Sequence, residues 1–259
     1  MSFLSRADRR LNWCAPTVPR SIPLEGTAVF LDLDGTLAPI EAVPEAVVPS
    51  TTRTALLIAA TRALKGRLAI ISGRSIHDVD RILEGAVVPV AAVHGLERRN
   101  AIGDLLHSAQ GFFPDDVRGQ VAEFAARYPG VFMEDKGSSI ALHFRTAPHA
   151  RNEIHDLVCG LASTSELMVQ EGAMVFELRL RGANKGDALR AFMAEAPFIG
   201  AIPAFIGDDP TDEDGFEAAA ALGGYGILVG KERPTLANHH LDSVDDVYRW
   251  LANGIGLTP

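Results

Sequence analysis

In the first hundred residues, short apolar runs typical of buried strands alternate with segments typical of helices. Three continuous apolar runs have the length of strands that are buried on both faces, namely residues 27–31, 68–71 and 87–93. Between them, helices are predicted from a cap at Ser50 to about residue 65 and over residues 75–83, and Gly66 and Gly85 follow these helices. Strands that alternate with helices predict a parallel α/β sheet.

The pattern changes in the middle of the chain, where each predicted helix is followed by a hairpin. The helices are predicted over residues 114–128 and 150–161. The strands are predicted over residues 131–134, 139–145, 167–170 and 174–180, with turns at Lys136-Gly137 and at residues 171–173. Two such units predict an antiparallel sheet covered by two helices, that is, an inserted α+β domain.

The first pattern returns after Asn184. The predicted elements are a helix to about residue 195, a strand over 202–206, a helix over 216–222, a strand over 225–229 and a closing helix over 241–251. The parallel-sheet core is therefore discontinuous in sequence. We expect an N-terminal arm over residues 1–24, a core over 25–105 and 183–259, and a cap domain over 106–182.

Composition narrows the class of protein. Hydrophobic residues make up 47% and charged residues 22%, which is typical of a folded chain. A net charge of -9 argues against nonspecific binding to nucleic acid. No segment approaches the roughly 18 apolar residues of a membrane helix, and no signal-peptide core is present, so no membrane partner is expected. Cys14 and Cys159 have no neighbouring metal-ligand pattern and fit a cytoplasmic location.

The strongest chemical signal is Asp32-Leu33-Asp34-Gly35-Thr36, directly after the first buried strand. In an open parallel sheet the carboxyl ends of the strands form the ligand crevice, so both carboxylates would be delivered there. Gly35 permits the turn that lets Asp32 and Asp34 converge. Two aspartates at this spacing are also typical of a helix cap or an acidic turn, so the motif needs partners elsewhere in the chain.

Three further segments supply such partners. Ser72 ends the second strand, Lys185 begins a later helix, and Gly-Asp-Asp-Pro-Thr-Asp at 207–212 ends another strand. Together with the aspartate pair they resemble, in order, the four motifs of the haloacid-dehalogenase (HAD) phosphatases. The resemblance implies a Rossmann-like HAD core with an inserted C2-type cap. It assigns the nucleophile to Asp32, general acid/base catalysis to Asp34, phosphate binding to Ser72 and Lys185, and magnesium binding to Asp208.

The chemistry of these residue types agrees with that resemblance. A carboxylate that attacks phosphorus forms an acyl phosphate and divides hydrolysis into two easier steps. Lys185 and a hard cation would keep Asp32 ionised, and Asp34 can first protonate the leaving oxygen and then deprotonate water. Magnesium prefers oxygen ligands. The candidate ligands are Asp32, Asp208 and the backbone carbonyl of Asp34, with Asp212 behind them and Asp209 as a further candidate.

Other segments resemble a narrower family, the bacterial trehalose-6-phosphate phosphatases, over about residues 27–250. They are Ile71-Ser72-Gly73-Arg74, His94-Gly95-Leu96-Glu97, His143-Phe144-Arg145, Glu177-Leu178-Arg179, Asn184-Lys185-Gly186 and residues 205–213. The resemblance implies trehalose 6-phosphate as the substrate and a functional pairing with a trehalose-6-phosphate synthase. The substrate-binding candidates are Gly73, Arg74, Glu97, Lys136, His143, Arg145, Glu177, Arg179 and Asn184. Leu180 departs from the family, where proline is expected in many relatives.

The cap candidates have a chemical rationale of their own. A disaccharide phosphate presents many hydroxyls, so its recognition needs several fixed donors and acceptors. Glu177 and Arg179 are two residues apart and share one face of a strand, while Lys136, His143 and Arg145 belong to the other hairpin. A solvent-facing ladder of salt bridges is the alternative interpretation of these residues.

Several functions stay open at the level of sequence. One is a phosphatase for another sugar or glycosyl phosphate, because the core chemistry is indifferent to the leaving group. Another is a noncatalytic sugar-phosphate sensor, which the intact Asp32, Asp34, Lys185 and Asp208 argue against. A response-regulator receiver is disfavoured by the inserted cap and the second aspartate. An EF-hand over residues 210–221 fails, because its first residue is proline and its twelfth is alanine.

Overall fold

The computed structural model describes Thr17, Pro19 and residues 25–107, 113–137, 139–165, 167–180 and 184–257. The chain divides into a core unit, Met1–Leu106 with Asn184–Pro259, and a cap unit, His107–Ala183. Most of the predicted arm over residues 1–24 lies outside the described residues. Thr17 is described, and it forms a parallel bridge with His239.

The strands and helices are numbered in chain order. The strands are β1 (Thr27–Leu31), β2 (Leu68–Ile71), β3 (Val90–Ala92), β4 (Glu97–Arg99), β5 (Leu105–His107), β6 (Phe132–Asp135), β7 (Ser139–His143), β8 (Leu167–Gly172), β9 (Val175–Leu180), β10 (Ile202–Gly207), β11 (Tyr225–Val229) and β12 (His239–Leu241). The helices are α1 (Thr51–Ala63), α2 (Ile76–Leu83), α3 (Asp115–Arg127), α4 (Arg151–Ser163), α5 (Lys185–Met193), α6 (Glu213–Ala221) and α7 (Val244–Gly254).

The core unit is built on a sheet with the strand order β12-β11-β10-β1-β2-β3-β4-β5. Strands β12 through β3 pair in parallel, and β4 pairs antiparallel with β3. Every residue of β1 is buried. Aromatic side chains pack helices onto the sheet, with Phe30 of β1 against Phe192 of α5 at 6.1 Å and Phe205 of β10 edge-on to Phe216 of α6 at 5.7 Å between ring centroids. The predicted parallel α/β core is confirmed.

Several predicted boundaries in the core unit were wrong. The run over 87–93 forms only the three residues of β3 and then a 3-10 turn, Val93–Gly95. The closing helix begins at residue 244 rather than 241, because Ser243 caps it by accepting a hydrogen bond from the Asp246 amide. The preceding residues pair with β11 as β12. Strands β4, β5 and β12 are three residues each, which is too short to show a hydrophobic period.

The cap unit contains an antiparallel sheet with the strand order β6-β7-β9-β8. One face of this sheet is apolar and carries the buried side chains of Ile140, Leu142, Phe176 and Leu178. Helix α4 packs against β8 and β9, and α3 packs against β6. The second hairpin turns at Ala173-Met174 rather than at 171–173, since β8 continues to Gly172.

The described helices include none that is both long enough and apolar enough to cross a membrane.

Candidate active site

Three neighbouring strands of the core sheet deliver side chains to the same edge. Strands β1 and β10 are parallel with Leu31 opposite Ile206, so Asp32 and Asp208 follow adjacent strand ends. The Asp32 amide donates to the Ile206 carbonyl at 2.9 Å. Strand β2 lies on the other side of β1 and ends just before Ser72, which is buried. The parallel register therefore gathers Asp32, Ser72 and Asp208 as the sequence predicted.

Glycines make room for two of the acidic side chains. Gly35 has a φ of +76°, and a Cβ atom built on it would lie 2.0 Å from Oδ2 of Asp208. A Cβ atom on Gly207 would lie 2.2 Å from Cγ of Asp212. Because both contacts are far below van der Waals distance, only glycine at these positions allows the carboxylates to approach so closely.

Lys185 lies between two of the carboxylates. Its Nζ is 3.0 Å from Oδ1 of Asp32 and 2.6 Å from Oδ1 of Asp212, and its side chain is buried. Burial alone would lower the pKa of Lys185, but the Asp212 and Asp32 carboxylates raise it well above its ordinary value. Lys185 is therefore a fixed positive charge beside the nucleophile candidate.

Helix α5 sets the position of Lys185, which is its first residue. Asn184 caps the helix, because its Oδ1 accepts from the Asp187 amide at 2.9 Å and the Asp187 carboxylate accepts from the Asn184 amide at 3.2 Å. The structure thus gives Asn184 a structural role. Its predicted contact with substrate stays a prediction.

Carboxylate oxygens of Asp32, Asp208 and Asp212 all lie within 4.8 Å of one another. Oδ1 of Asp208 is buried and has no hydrogen-bond partner among the described residues. In contrast, Oδ1 of Asp212 accepts from Lys185, and Oδ2 accepts from the Asp209 amide at 2.9 Å. A buried carboxylate oxygen without a partner fits a metal ligand, whereas Asp212 is already satisfied and fits a residue that holds the ligands in place.

The charges of this cluster do not balance within the protein. Burial raises the pKa of the Asp32 and Asp212 carboxyls, and burial together with repulsion from Asp212 raises the pKa of Asp208 to about 8. One lysine faces three carboxylates. A divalent cation would supply the missing charge, and carboxylate oxygens are the ligands that hard cations prefer.

Asp34 is held by an arginine. Nε of Arg74 donates to Oδ2 of Asp34 at 2.6 Å and Nη2 donates to Oδ1 at 2.7 Å, while Nη1 donates to the Pro44 carbonyl at 2.9 Å. Such a two-point contact fixes the orientation of the carboxylate. Arg74 was predicted to bind substrate, and its pairing with the general acid/base candidate was not predicted from the sequence.

The remaining core candidates are Ser72, Gly73, Glu97 and Asp209. Oγ of Ser72 accepts from the Arg74 amide at 3.2 Å, which fixes the turn that contains Gly73. Glu97 lies half-buried in β4. Asp209 caps the turn Pro210–Asp212 by accepting from the Thr211 amide at 2.9 Å, and it is outside the carboxylate cluster identified among the described residues.

The second face of the cap sheet is polar. Glu177 is buried, and its oxygens accept from Oγ of Ser139 at 2.5 Å and from Nζ of Lys136 at 3.3 Å. Nε2 of His143 lies 2.9 Å from Oε2 of Glu134. The pairs Ala141–Glu177 and Glu134–Ala141 place both acids on this face. Hydrogen bonds and ion pairs join Glu134, Lys136, Ser139, His143 and Glu177. The buried Arg179 lies opposite Ser139 in the strand register. We call these six residues the cap polar cluster.

The cap polar cluster differs from the predicted set in three residues. Glu134 and Ser139 were not predicted, because only the strand register shows that they adjoin His143 and Glu177. Arg145 was predicted, but it lies beyond the end of β7, is exposed and donates to the Ala173 carbonyl at 3.5 Å. Burial of Glu177 and Arg179 also disfavours the alternative of a solvent-facing salt-bridge ladder.

The HAD fold combines these features: a mostly parallel sheet with Asp32, Ser72 and Asp208 at adjacent strand ends, and Lys185 between carboxylates. A solved haloacid dehalogenase-like hydrolase from B. subtilis matches this structure with a TM-score of 0.61 at 17% identity, covering 87% of this chain and 98% of that one. The chain belongs to the trehalose-phosphatase family, whose sequence model matches residues 30–245.

Two further comparisons agree. The trehalose-6-phosphate phosphatase of Escherichia coli K12 is 41% identical over 232 residues, covering 86% of this chain and 85% of that protein. The solved C-terminal domain of trehalose-6-phosphate phosphatase from C. albicans has a TM-score of 0.82 at 22% identity, covering 95% of this chain and 100% of that one. The predicted fold class and family are confirmed.

Proposed function

We propose that this protein hydrolyses trehalose 6-phosphate to trehalose and phosphate through a phosphoaspartyl intermediate on Asp32. The observation that carries the proposal is the position of Asp32 at the end of β1, 3.0 Å from Nζ of Lys185 and within the carboxylate cluster of Asp208 and Asp212. A buried carboxylate beside a fixed cation is arranged to attack an anionic phosphate rather than to stabilise the fold.

In the first step, the Asp32 carboxylate attacks phosphorus and the bond from phosphorus to the sugar oxygen breaks. Asp34 donates a proton to that oxygen, so trehalose leaves as a neutral alcohol. Lys185 offsets negative charge on the phosphoryl oxygens, and Ser72 offers a hydroxyl to them. The products of this step are trehalose and an acyl phosphate on Asp32.

In the second step, Asp34 takes a proton from a water molecule, which attacks phosphorus and releases Asp32. Asp34 thereby recovers the proton that it gave to the sugar. The two-point contact with Arg74 binds the ionised form of Asp34, which is the form that takes the proton from water. The protonated Asp34 of the first step must give up at least one of these two hydrogen bonds.

The cofactor that best fits the carboxylate cluster is Mg²⁺. Asp32, Asp208 and the backbone carbonyl of Asp34 would hold it, with Asp212 fixing the arrangement through Lys185 and the Asp209 amide. When bound, it would neutralise the charge that gathers on the transferring phosphoryl group.

We assign recognition of the sugar to the cap polar cluster. Its two acids hold Lys136 and His143 in place, so these groups present donors and acceptors in set directions, as discrimination between sugars requires. The residues assigned are Lys136, His143, Glu177 and Arg179, with Arg145, Glu97, Gly73 and Asn184 as further candidates. Glu134 holds His143 in place through the 2.9 Å contact.

The proposed substrate also places the protein in a sequence of reactions. A glycosyl transfer to a sugar phosphate yields a disaccharide that already carries a phosphate, so the partner reaction that we propose is that of a trehalose-6-phosphate synthase. Both reactions are placed in the cytoplasm, where two cysteines without a disulfide framework are expected to stay reduced.

A phosphate-release screen over sugar phosphates, with Mg²⁺ and with EDTA, tests the proposal. We expect release from trehalose 6-phosphate with Mg²⁺ and little release from the other sugar phosphates. Preferential release from a different sugar phosphate would support the alternative phosphatase. Binding of sugar phosphates without release from any of them would support the noncatalytic sensor.

A further inference from the structure

The segment that follows β11 touches the backbone of the acidic loop. Nη2 of Arg233 donates to the carbonyl oxygen of Asp209 at 2.9 Å and lies 3.4 Å from that of Asp208. Nη1 of the same guanidinium pairs with Oε1 of Glu213. One side chain thus joins the backbone of Asp208 and Asp209 to the first residue of α6.

Glu213 is itself held in place. Its Oε1 accepts from Oγ1 of Thr235 at 2.8 Å, and its Oε2 accepts from the amide of Leu236 at 2.7 Å. Both Glu213 and Arg233 are mostly buried, with exposed side-chain fractions of 17% and 24%. An ion pair with additional hydrogen bonds at this depth is well ordered, unlike an exposed pair.

The position of the Asp208 backbone limits the places that its carboxylate can reach. Oδ1 of Asp208 has no hydrogen-bond partner among the described residues, so no contact of that oxygen fixes it before a cation binds. Its neighbour Gly207 has no side chain that could anchor the loop. The fork of Arg233 therefore adds a contact to the Asp208 and Asp209 carbonyls. The loop is held on its other side by Asp212, whose Oδ2 accepts from the Asp209 amide and whose amide donates to the Asp209 carbonyl.

We propose that Arg233 is a positioning residue for the cation site: it fixes the backbone of Asp208 and Asp209 so that the Asp208 carboxylate is preorganised for Mg²⁺. This inference rests on the proposed function. It goes beyond it by assigning a role to a residue outside the four motifs. Loss of a supporting residue of this kind typically lowers metal affinity by about 10- to 100-fold.

The test is a calorimetric titration of Mg²⁺ into metal-free protein without substrate. Arg233→Gln should weaken binding by about 10-fold or more. Arg233→Lys keeps the charge but cannot span Glu213 and both carbonyls, so it should also weaken binding. Arg127→Gln is the matched control, because Arg127 forms an exposed pair with Glu123 on α3. It should leave the Mg²⁺ dissociation constant unchanged.

A second readout separates positioning from a purely structural role. In phosphate release, the half-saturating Mg²⁺ concentration of both Arg233 variants should rise, while kcat at saturating Mg²⁺ should return close to that of the wild type. A lower melting temperature with an unchanged Mg²⁺ dissociation constant would overturn the proposal. Should Arg233→Gln not fold, the same comparison with Arg233→Lys decides. Failure of the wild type to bind Mg²⁺ would instead overturn the cation assignment in the proposed function, and this inference with it.

Discussion

Gly35 and Asp208 approach so closely that a Cβ atom on Gly35 would lie 2.0 Å from Oδ2 of Asp208. They belong to different motifs, one after β1 and the other after β10, and the parallel pairing of these strands brings them together. The contact explains why the turn after Asp34 needs a residue without a side chain. It also ties the shape of that turn to the position of a candidate metal ligand.

Gly35→Ala should therefore displace Asp208 as well as strain the backbone at a φ of +76°. Misplacement by about 1 Å can cost on the order of 100-fold in rate, so we expect kcat/KM to fall by at least about that factor. Gly85→Ala is the matched control: Gly85 has a φ of +68° and open space around its Cβ position. Both variants should lose some stability on thermal unfolding, and only Gly35→Ala should lose activity. Equal activity losses would contradict the role of the contact.

Asp32→Asn should abolish turnover while the fold is kept, because an amide has the same shape but cannot form an acyl phosphate. Loss of a nucleophile commonly costs on the order of 10⁴-fold or more in kcat. The measurement is phosphate release by the purified variant, with circular dichroism to check the fold. Mass spectrometry after rapid acid quenching should find phosphate on Asp32 in the wild type alone. Substantial turnover by folded Asp32→Asn would remove Asp32 from the nucleophile role.

Removal of metal should eliminate activity, and Mg²⁺ should restore it. Without a cation, Asp32, Asp208 and Asp212 would repel the phosphate dianion of the substrate. Calcium should restore little, because its larger and more variable coordination can draw Asp32 into a bidentate geometry that is unsuited to attack. Phosphate release is measured after chelation and after addition of each metal. Full activity in rigorously metal-free protein would refute this account.

Tyr225 gives a prediction about alkaline stability. Burial raises the pKa of Tyr225 to about 12, and its hydroxyl has no hydrogen-bond partner among the described residues. In the unfolded chain the Tyr225 hydroxyl ionises near pH 10. The stability that its buried neutral form contributes is therefore complete below pH 10 and is lost between about pH 10 and 12. Allowing for the part of the ring that solvent reaches, the loss is about 1 to 2 kcal/mol.

Tyr225→Phe removes that ionisation. We expect the variant to be about as stable as the wild type at pH 8, because the buried hydroxyl makes no hydrogen bond with the described residues that could be lost. Its advantage should grow between pH 10 and 12. Urea unfolding of both proteins at both ends of this pH range measures the difference between their free energies of unfolding. The titration of all other groups cancels in that difference. A difference that does not change with pH would show that the Tyr225 hydroxyl ionises equally in the folded chain.

The sequence was most informative where chemistry and strand ends coincide. Apolar runs such as residues 27–31 and 202–206 predicted parallel strands. Because ligands bind at the carboxyl ends of such strands, the sequence also predicted that Asp32, Ser72 and Asp208 lie at one edge of the sheet. Short elements gave no such signal. Strands β4 and β12 have three residues each, and only their pairing with β3 and β11 defines them.

Contacts between side chains distant in sequence were not predictable in the same way. The pairing of Arg74 with Asp34 spans 40 residues, and that of Arg233 with the acidic loop requires the position of the segment after β11. In the cap, the period of two placed Glu177 and Arg179 on one face, but the register was needed to add Glu134. A local pattern reports which face a residue occupies and not which partner it meets.

The choice of sugar is predicted to depend on the cap polar cluster. If its groups bind hydroxyls of the second glucose, trehalose 6-phosphate gains contacts that glucose 6-phosphate cannot make, and the truncated substrate loses turnover as well as affinity. Glu177→Ala should reduce kcat/KM for trehalose 6-phosphate by about 10-fold or more and leave that for glucose 6-phosphate nearly unchanged. Glu171→Ala is the control, because Glu171 lies opposite Phe176 on the other face of the sheet.

The most direct measurement is the specificity constant of the wild type for trehalose 6-phosphate, sucrose 6-phosphate and glucose 6-phosphate at saturating Mg²⁺. Our account predicts that kcat/KM for trehalose 6-phosphate exceeds the other two by about 100-fold or more, since a site built for hydroxyl hydrogen bonds rejects sugars that lack them. Equal specificity constants for all three substrates would contradict the assignment of trehalose 6-phosphate, and the phosphatase chemistry of Asp32 would still stand.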